Sequence, residues 1–296
     1  MKRRKIDGVL LLDKAETWSS NGALQKVRWL LAAEKGGHTG TLDPFATGLL
    51  PICLGEATKF SGYLLESDKA YLATLKLGVR TASGDTEGEV IASAAVAVSR
   101  AQIEATLPHF IGDILQIPPM YSALKQNGRP LYELARRGET VERAARPVTV
   151  HSIDLVSFSS DVLVLRVHCG KGFYVRTLAD DLGLMLGCGA HLTALRRERV
   201  GPFGLEGSVS VARLETEDMA QRESHLLPVD SLLAGMARMD LDAESAWQMR
   251  HGQPVWRSRL TVGESFCVYD DKGGLLGLAE VNREGLLGPK RLLQTT

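Results

Sequence analysis

The chain has 296 residues, 44% of them hydrophobic and 24% charged, with 35 basic side chains against 35 acidic ones. That length suits one large domain or a large domain with a small one, and the composition is that of an ordered globular chain rather than a disordered or fibrous one. No apolar run approaches the ~20 residues of a membrane helix, and neither an apolar h-region nor a small-residue cleavage site follows the opening "MKRRK", so a cytoplasmic chain without membrane contact is expected. The four cysteines, Cys53, Cys169, Cys188 and Cys267, form no C-x-x-C pair. This argues against a zinc site and a disulfide framework and for reduced, buried thiols.

In chain order, "IDGVLLLDK" (Ile6 to Lys14) reads as a buried strand, and Ser19 or Ser20 can cap a helix through "NGALQKVRWLLAA". A glycine-rich loop follows. Glu56 to Leu65 reads as a second helix, and "KAYLATLKLGV" (Lys69 to Val79) alternates like a half-buried strand. "RTASGDTEGEV" is a polar turn region, Ser99 starts a capped helix to about Pro108, and Leu131 to Arg137 suggests a short one. "VTVHSIDLVSFSS" and "VLVLRVHCG" read as an antiparallel pair, and Tyr174 to Gly187 as a helix ending at glycine. Strands and helices alternate without a regular strand-helix-strand rhythm, which favours an α+β fold with a mixed, largely antiparallel sheet. From about Met239, strand signals separated by "HGQP", "DDKGG" and "NREGLLGPK" suggest a small β-rich module.

The neutral net charge hides an uneven distribution. Between Arg213 and Glu244 eight acids face three bases, a local charge of −5, so the remainder sums to +5. The basic excess concentrates at Lys2 to Lys5, at Arg129, Arg136, Arg137, Arg143 and Arg146, and at Arg196, Arg197 and Arg199 in "LRRERVG". Such clusters can neutralise phosphates on an otherwise neutral chain, or can simply be solvated faces.

The densest chemical signal is "GGHTGTLDPFATGLLPICLGEATKF" (Gly36 to Phe60), where His38, Asp43 and four glycines precede a wall of leucines. A phosphate cradle would need a Walker or dinucleotide glycine pattern, and neither is present. A metal site on His38 and Asp43 lacks a third ligand at a convincing spacing. Asp43 can be a nucleophile or base on a constrained loop, with Pro44 fixing the backbone and Gly40 and Gly48 allowing tight turns, or it can merely cap a turn.

The same segment resembles, almost residue for residue, the catalytic motif of the bacterial tRNA pseudouridine-55 synthases, the TruB family. "DGVLLLDKAETWSSNGALQKV", "SDKAYLATLKLG", "IPPMYSALKQNGRPLYELARRG", "HCGKGFYVRTLADDLG" and "CGAHLTALRRERVGPF" resemble further motifs of that family in the same order. The resemblance spans Asp7 to about Phe203. Two departures are visible: Ala15 stands where the family commonly has proline after Lys14, and Phe173 where a smaller residue is frequent.

The resemblance implies a pseudouridine synthase-like catalytic domain over residues 1–212, with an RNA-contacting insertion near 118–147. An acidic connecting segment (213–238) and a PUA-like RNA-binding domain (239–296) would follow. It implies isomerisation of uridine 55 in the TΨC loop, with Asp43 as covalent nucleophile and Arg176 as its cation. Tyr71 would pack against the target base and act on its C5 proton, Leu195 would wall the pocket, and His38 would fill the gap left in the RNA stack. Lys14, Arg129, Arg136 and Arg137 would contact substrate. Because the reaction moves the glycosidic bond from N1 to C5 without net gain or loss of atoms or electrons, no cofactor or metal is implied. The implied partner is the T-arm of tRNA, and the implied state is a monomer. Elementary chemistry adds one demand: a carboxylate reactive in a dry pocket needs a fixed cation to keep its pKa low. The residues leave open whether Asp43 attacks C1′ or C6. They also leave a non-catalytic tRNA-folding chaperone and a guide-RNA-dependent synthase subunit as alternatives.

Overall fold

Seven residues with almost no polar interruption form the first strand, β1 (Gly8–Lys14), in a computed structural model that describes residues 2–294 apart from 123, 127, 136 and 140. Helix α1 (Ser20–Leu30) starts where expected, with the Ser19 hydroxyl accepting from the Gly22 amide. The glycine-rich segment divides into β2 (Gly36–His38), a loop over 39–46, and β3 (Thr47–Leu54). Its leucine wall is therefore a central strand. Pro51 is tolerated there: it sits opposite Leu11 of β1, and its carbonyl accepts from the Thr39 amide at 3.2 Å. The helix expected over Glu56 to Leu65 breaks into a 3-10 turn (Gly55–Lys59) and α2 (Ser61–Glu66). The break falls at Phe60, whose fully buried ring goes with a backbone (φ −109°, ψ 1°) outside the helical region.

Next come β4 (Lys69–Leu77), β5 (Val79–Thr81), β6 (Val90–Ser93) and α3 (Arg100–Thr106), which opens on a capping box of Ser99 and Gln102. They are followed by β7 (Gly112–Gln116), a two-residue ribbon of β8 (Lys125–Gln126) and β9 (Arg129–Pro130), and α4 (Leu131–Ala135). The long pair β10 (Arg146–Ser159) and β11 (Val162–Cys169) is antiparallel as read from the sequence, and α5 (Val175–Met185) fills the expected helix. β12 (Ala190–Val200) is an eleven-residue strand that no alternation announced.

Among the described residues β5 pairs only with β6 and β8 only with β9, and the other strands of this part join one ten-stranded sheet. Its order is β13-β1-β3-β12-β4-β11-β10-β7, with β13 (Val209–Ser210) at one edge, β14 (Leu226–Leu227) on β1 and β2 on β3. Seven of its nine ladders are antiparallel and two, β1–β13 and β3–β12, are parallel. The fold is thus α+β with a mixed, largely antiparallel sheet.

Side chains alternate across β1 and β3 with the period of two that a strand imposes. Leu10, Leu12, Leu50 and Ile52 enter the main core with α1 and α5, while Val9, Leu11, Leu49 and Cys53 point the other way. That reverse face is covered by Leu232, Leu233, Cys267, Tyr269 and Leu278 from the C-terminal part of the chain. Burial on both faces is why the two strands read as near-continuous apolar runs.

The acidic segment packs against the main domain through α6 (Val211–Thr216) and α7 (Met219–Ser224). Leu214 is fully buried, Glu215 pairs with Lys26, Glu223 pairs with Arg4, and Arg222 donates to the Leu30 carbonyl at 3.0 Å. The acidic stretch therefore neutralises part of the basic N-terminus. The last unit is a four-stranded sheet of β15 (Ala237–Asp240), β16 (Ser265–Tyr269), β17 (Leu275–Val281) and β18 (Leu287–Leu292), carrying α8 (Ala243–Arg250). β15 begins inside the stretch read as a connector.

Candidate active site

The loop bearing Asp43 is pinned on both sides. Before it, the buried Ser20 hydroxyl accepts from the Leu42 amide at 2.7 Å and donates to the Leu42 carbonyl at 2.9 Å. After it, the Pro44 carbonyl accepts from the Thr17 amide at 2.9 Å and from Lys14 Nζ at 3.2 Å. The Ala46 amide closes the turn onto the Asp43 carbonyl at 3.1 Å. Lys14 also donates to the carbonyls of Ala15 and Trp18, at 3.0 and 2.8 Å, and is 1% exposed. Lys14 is thus a clamp behind the loop, with all three ammonium hydrogens committed to carbonyls. Burial lowers its pKa to about 8, partly offset by Asp43.

Glycine is required at Gly48, where the chain enters β3. There φ is +100°, and a Cβ would lie 2.3 Å from the Arg197 carbonyl of the neighbouring strand.

Arg176, in the first turn of α5, meets Asp43 through two nitrogens, Nε to Oδ2 at 3.0 Å and Nη2 to Oδ1 at 3.2 Å. Its side chain is 6% exposed, and Nη2 also donates to the Tyr121 carbonyl at 2.5 Å. A second carboxylate, Asp85, lies 3.5 Å from Arg176 Nη1. Asp85 is buried, and it accepts from the Ser83 hydroxyl and, at 3.0 Å, from the Glu87 amide. Sequence reasoning left it inside a polar turn. The signal that could have found it is the acid in the tight "SGD" turn, a residue type rarely buried without a cation.

The cation demanded by the chemistry is present, yet the Asp43 carboxyl stands above the ordinary carboxylate range rather than below it. Burial pushes it up, Arg176 pulls it down, Asp85 pushes it up again, and Lys14 contributes a smaller downward pull. Desolvation and the neighbouring acid outweigh the ion pair.

Asp43 stands between two cavities. The larger, of about 740 Å³, is bordered by Ser20, His38, Asp85, Tyr121 and Arg176. The smaller, of about 300 Å³, is lined by Tyr71, Leu195, Lys69, Phe173 and Arg197 together with Asp43 and Arg176. Tyr71 and Leu195 thus reach one cavity from adjacent strands, in a ladder that pairs Tyr71 with Arg197 and Ala73 with Leu195. Burial raises the Tyr71 phenol above its ordinary pKa, against the opposing charge and hydrogen bond of Arg197. His38 borders the larger cavity with Nδ1 buried and unpartnered. Burial, reinforced by the Arg197 charge, lowers its pKa and favours the neutral imidazole. Lys69, which sequence reasoning passed over, donates to the Leu65 and Ser67 carbonyls at 2.7 and 2.5 Å, and burial brings its pKa to about 8.

The basic clusters fare differently. Arg129 and Arg137 are exposed, while Arg136 lies outside the described residues. Arg143 donates to the Pro118 carbonyl at 3.0 Å. The "LRRERVG" arginines are largely spent inside the protein. Arg196 makes a two-pronged pair with Asp13 at 2.8 and 3.1 Å, Arg197 is buried, and Arg199 donates to the Gly201 carbonyl at 2.9 Å. Outside the site, Asp68, His151 and His168 are the one group among the described residues with three donor atoms close enough to share a cation. They lie at the surface, where a 3.1 Å contact between His151 and Asp68 and packing of the two imidazoles account for the arrangement.

Comparison with known proteins matches this chain to one family along its length. Residues 28–175 match the TruB family pseudouridylate synthase N-terminal domain, 176–234 the tRNA pseudouridylate synthase B C-terminal domain, and 237–293 the pseudouridine synthase II TruB C-terminal domain. The tRNA pseudouridine synthase B of Dechloromonas aromatica (strain RCB) is 56% identical over 291 residues, covering 98% of this chain and 97% of that protein. That of Stutzerimonas stutzeri (strain A1501) is 51% identical over 297 residues, covering 99% and 97%. Among solved structures, a Cbf5-Nop10-Gar1 complex is similar with a TM-score of 0.69 and 25% identity, covering 93% of this chain and 78% of that one. An H/ACA RNP bound to a substrate RNA containing 2′-deoxyuridine shares the fold, with a TM-score of 0.71 and 21% identity over 97% of this chain and 85% of that one.

Proposed function

The chain belongs to the TruB family of pseudouridylate synthases, and from that premise we propose that it isomerises uridine 55 in the TΨC loop of tRNA to pseudouridine, with Asp43 as covalent nucleophile. The observation that carries this reading is the two-pronged Asp43–Arg176 pair lining a cavity of about 300 Å³ together with Tyr71 and Leu195. A base flipped from the loop loses a few kcal/mol of stacking and pairing. Packing on Tyr71 and Leu195, with His38 in the larger cavity to stand in the vacated stack, offsets that cost.

Arg176 orients the carboxylate, and the clamps at Leu42 and Pro44 hold the loop while the carboxylate attacks. Attack on C1′ releases the uracil from the sugar, whereas attack on C6 ties it to the protein. In either case the base turns within the cavity and rejoins C1′ through C5, and the C5 proton is then removed. In this reading the exposed Arg129 and Arg137 contact backbone phosphates of the T-arm. The chain works as a monomer in this scheme.

The test is release of tritium from tRNA transcripts labelled at uridine C5, without added metal or nucleotide. The wild type should release one equivalent per tRNA, and the Asp43→Asn variant none. A transcript lacking uridine 55 should also release none. Tight tRNA binding with no release by the wild type would overturn the reading in favour of a tRNA-folding chaperone.

A further inference from the structure

Arg197 is a second buried arginine in the site, and the scheme above gives it no task. It lies on β12, is 1% exposed, and heads the largest fully buried side chains of the fold. Its Nε donates to the Leu49 carbonyl at 2.7 Å and its Nη2 to the Gly40 carbonyl at 3.1 Å. Its cross-strand neighbour is Tyr71, directly opposite in the β4–β12 ladder and lining the same cavity. Among the described residues no carboxylate lies within ion-pair distance of Arg197, although Arg80, Arg166, Arg176, Arg196 and Arg213 all have one. A buried cation without a counter-ion is costly. Of these three neighbours, two carbonyls and a phenol, only the phenol can become an anion.

We propose that Arg197 is the positioning residue and counter-cation of Tyr71: it holds the phenol in the base cavity and stabilises its phenolate, so that Tyr71 removes the C5 proton. This inference rests on the pseudouridine synthase reading of the same site. Once the C1′–C5 bond has formed, C5 still carries its hydrogen and the ring holds a C6=N1 double bond. The Tyr71 phenolate takes that hydrogen as a proton. The C–H electron pair forms C5=C6, the C6=N1 π pair moves to N1, and N1 takes a proton from solvent. Tyr71 then returns its proton to solvent, leaving atoms and electrons unchanged overall.

The surroundings of the phenol support the assignment. Cys169 from β11 and Asp43 from the loop both oppose a phenolate, as does burial itself, and Arg197 from β12 is the group that favours it. Lys69 shares the cavity on Tyr71's own strand, and Arg176 borders it from α5, but Lys69 is committed to the Leu65 and Ser67 carbonyls and Arg176 to Asp43 and Asp85. The same guanidinium depresses the pKa values of Lys14, His38 and Lys69, as expected of a charge at the centre of the site.

The decisive experiment measures single-turnover tritium release from pH 6 to 9.5 for wild type, Arg197→Lys and Arg197→Met, alongside tRNA affinity and thermal melting. A folded variant should bind tRNA within about threefold of wild type but release tritium at least about 30-fold more slowly at pH 7, with the deficit shrinking as pH rises. Placing 2,3-difluorotyrosine, a more acidic phenol, at position 71 should recover about tenfold of the Arg197→Lys loss. Wild-type rate and pH profile in a folded variant would overturn the proposal. So would a deficit equal at every pH and unrelieved by the fluorinated residue, which is the signature of a merely structural arginine.

Should neither variant fold, difluorotyrosine in the wild-type background decides: the limb of the pH profile belonging to the phenol must move to lower pH, and an unmoved limb overturns the proposal. Absence of release by the wild type would count against the synthase reading itself. In that case the Tyr71 phenolate absorbance near 295 nm, taken as wild type minus Tyr71→Phe, still tests the pair. In the Arg197→Lys background that titration should shift upward by about one unit or more, and an unshifted titration overturns the pairing.

Discussion

The two ends of the molecule use charge in opposite ways. Around Asp43 the cations are enclosed and committed: Arg176 to two carboxylates and two carbonyls, Arg197 to two carbonyls beside the Tyr71 phenol, Lys14 to three carbonyls. In the C-terminal unit the pairs face solvent, Arg238 with Asp240, Arg257 with Asp242 and Lys290 with Glu280. There Trp247 and Trp256 stand 55% and 70% exposed. Exposed pairs contribute ~0–1 kcal/mol and re-form freely. Enclosed ones hold a reacting group to a fraction of an ångström because moving them strands a charge. Chemistry needs the second kind, whereas contact with a flexible partner tolerates the first.

The sharpest break in that contrast is at Asp43, the proposed nucleophile. Asp43→Asn should lower tritium release at least about a thousandfold with tRNA affinity unchanged. The same change should stabilise the fold. Folded Asp43 holds its proton more tightly than the unfolded chain does, so it contributes stability below the ordinary pKa of about 3.9 and loses it as pH rises through the elevated folded value. A higher melting temperature for Asp43→Asn at pH 7.5, with a smaller gain at pH 4, is the expected result in calorimetry. Wild-type activity should likewise fall on acidification at a pH above the usual carboxylate range.

Next in size, Arg176→Lys should slow release about a hundredfold, because an ammonium cannot reproduce the two-pronged contact. The solvent-facing counterpart Arg257→Lys should leave the rate unchanged, and steady-state assays of the two variants make the comparison directly. Asp85→Asn should cost about tenfold in rate by loosening the far side of the Arg176 guanidinium. Smallest is the paired charge reversal Arg129→Glu with Arg137→Glu. It should weaken tRNA binding severalfold and lower the slope of log affinity against log salt by about 2. Unchanged gel-shift binding and slope would remove the T-arm contact from the scheme.

Much of this architecture was legible in the amino-acid order. β1, β4, β10 and β11, α1 with its Ser19 cap and α5 all declared themselves by periodicity, because each buries one face or is buried throughout. β12 did not, since Arg196 and Glu198 pair on the outer face while Arg197 is buried among carbonyls, and a charged run that folds inward looks like a solvated one. Asp43 stood out by its glycine and proline setting and Arg176 by resemblance alone. Asp85 and Ser20 act only through contacts across the fold, with partners 91 and 22 residues away. The position of Lys14 stands out in the sequence, but the direction of its side chain is set by the loop it holds.

The reverse face of β1 and β3 has a consequence in time as well as in space. Val9, Leu11, Leu49 and Cys53 are made early, while Cys267, Tyr269 and Leu278, which cover them, are made some two hundred residues later. At ~5–20 residues per second of synthesis, that face waits on the order of ten seconds or longer for its cover. The strand that follows the Asp43 loop therefore gains its full cover only after residues 267–278 are made, and a nascent chain stalled before residue 267 presents chaperones with an apolar face that Leu232 and Leu233 cover only in part.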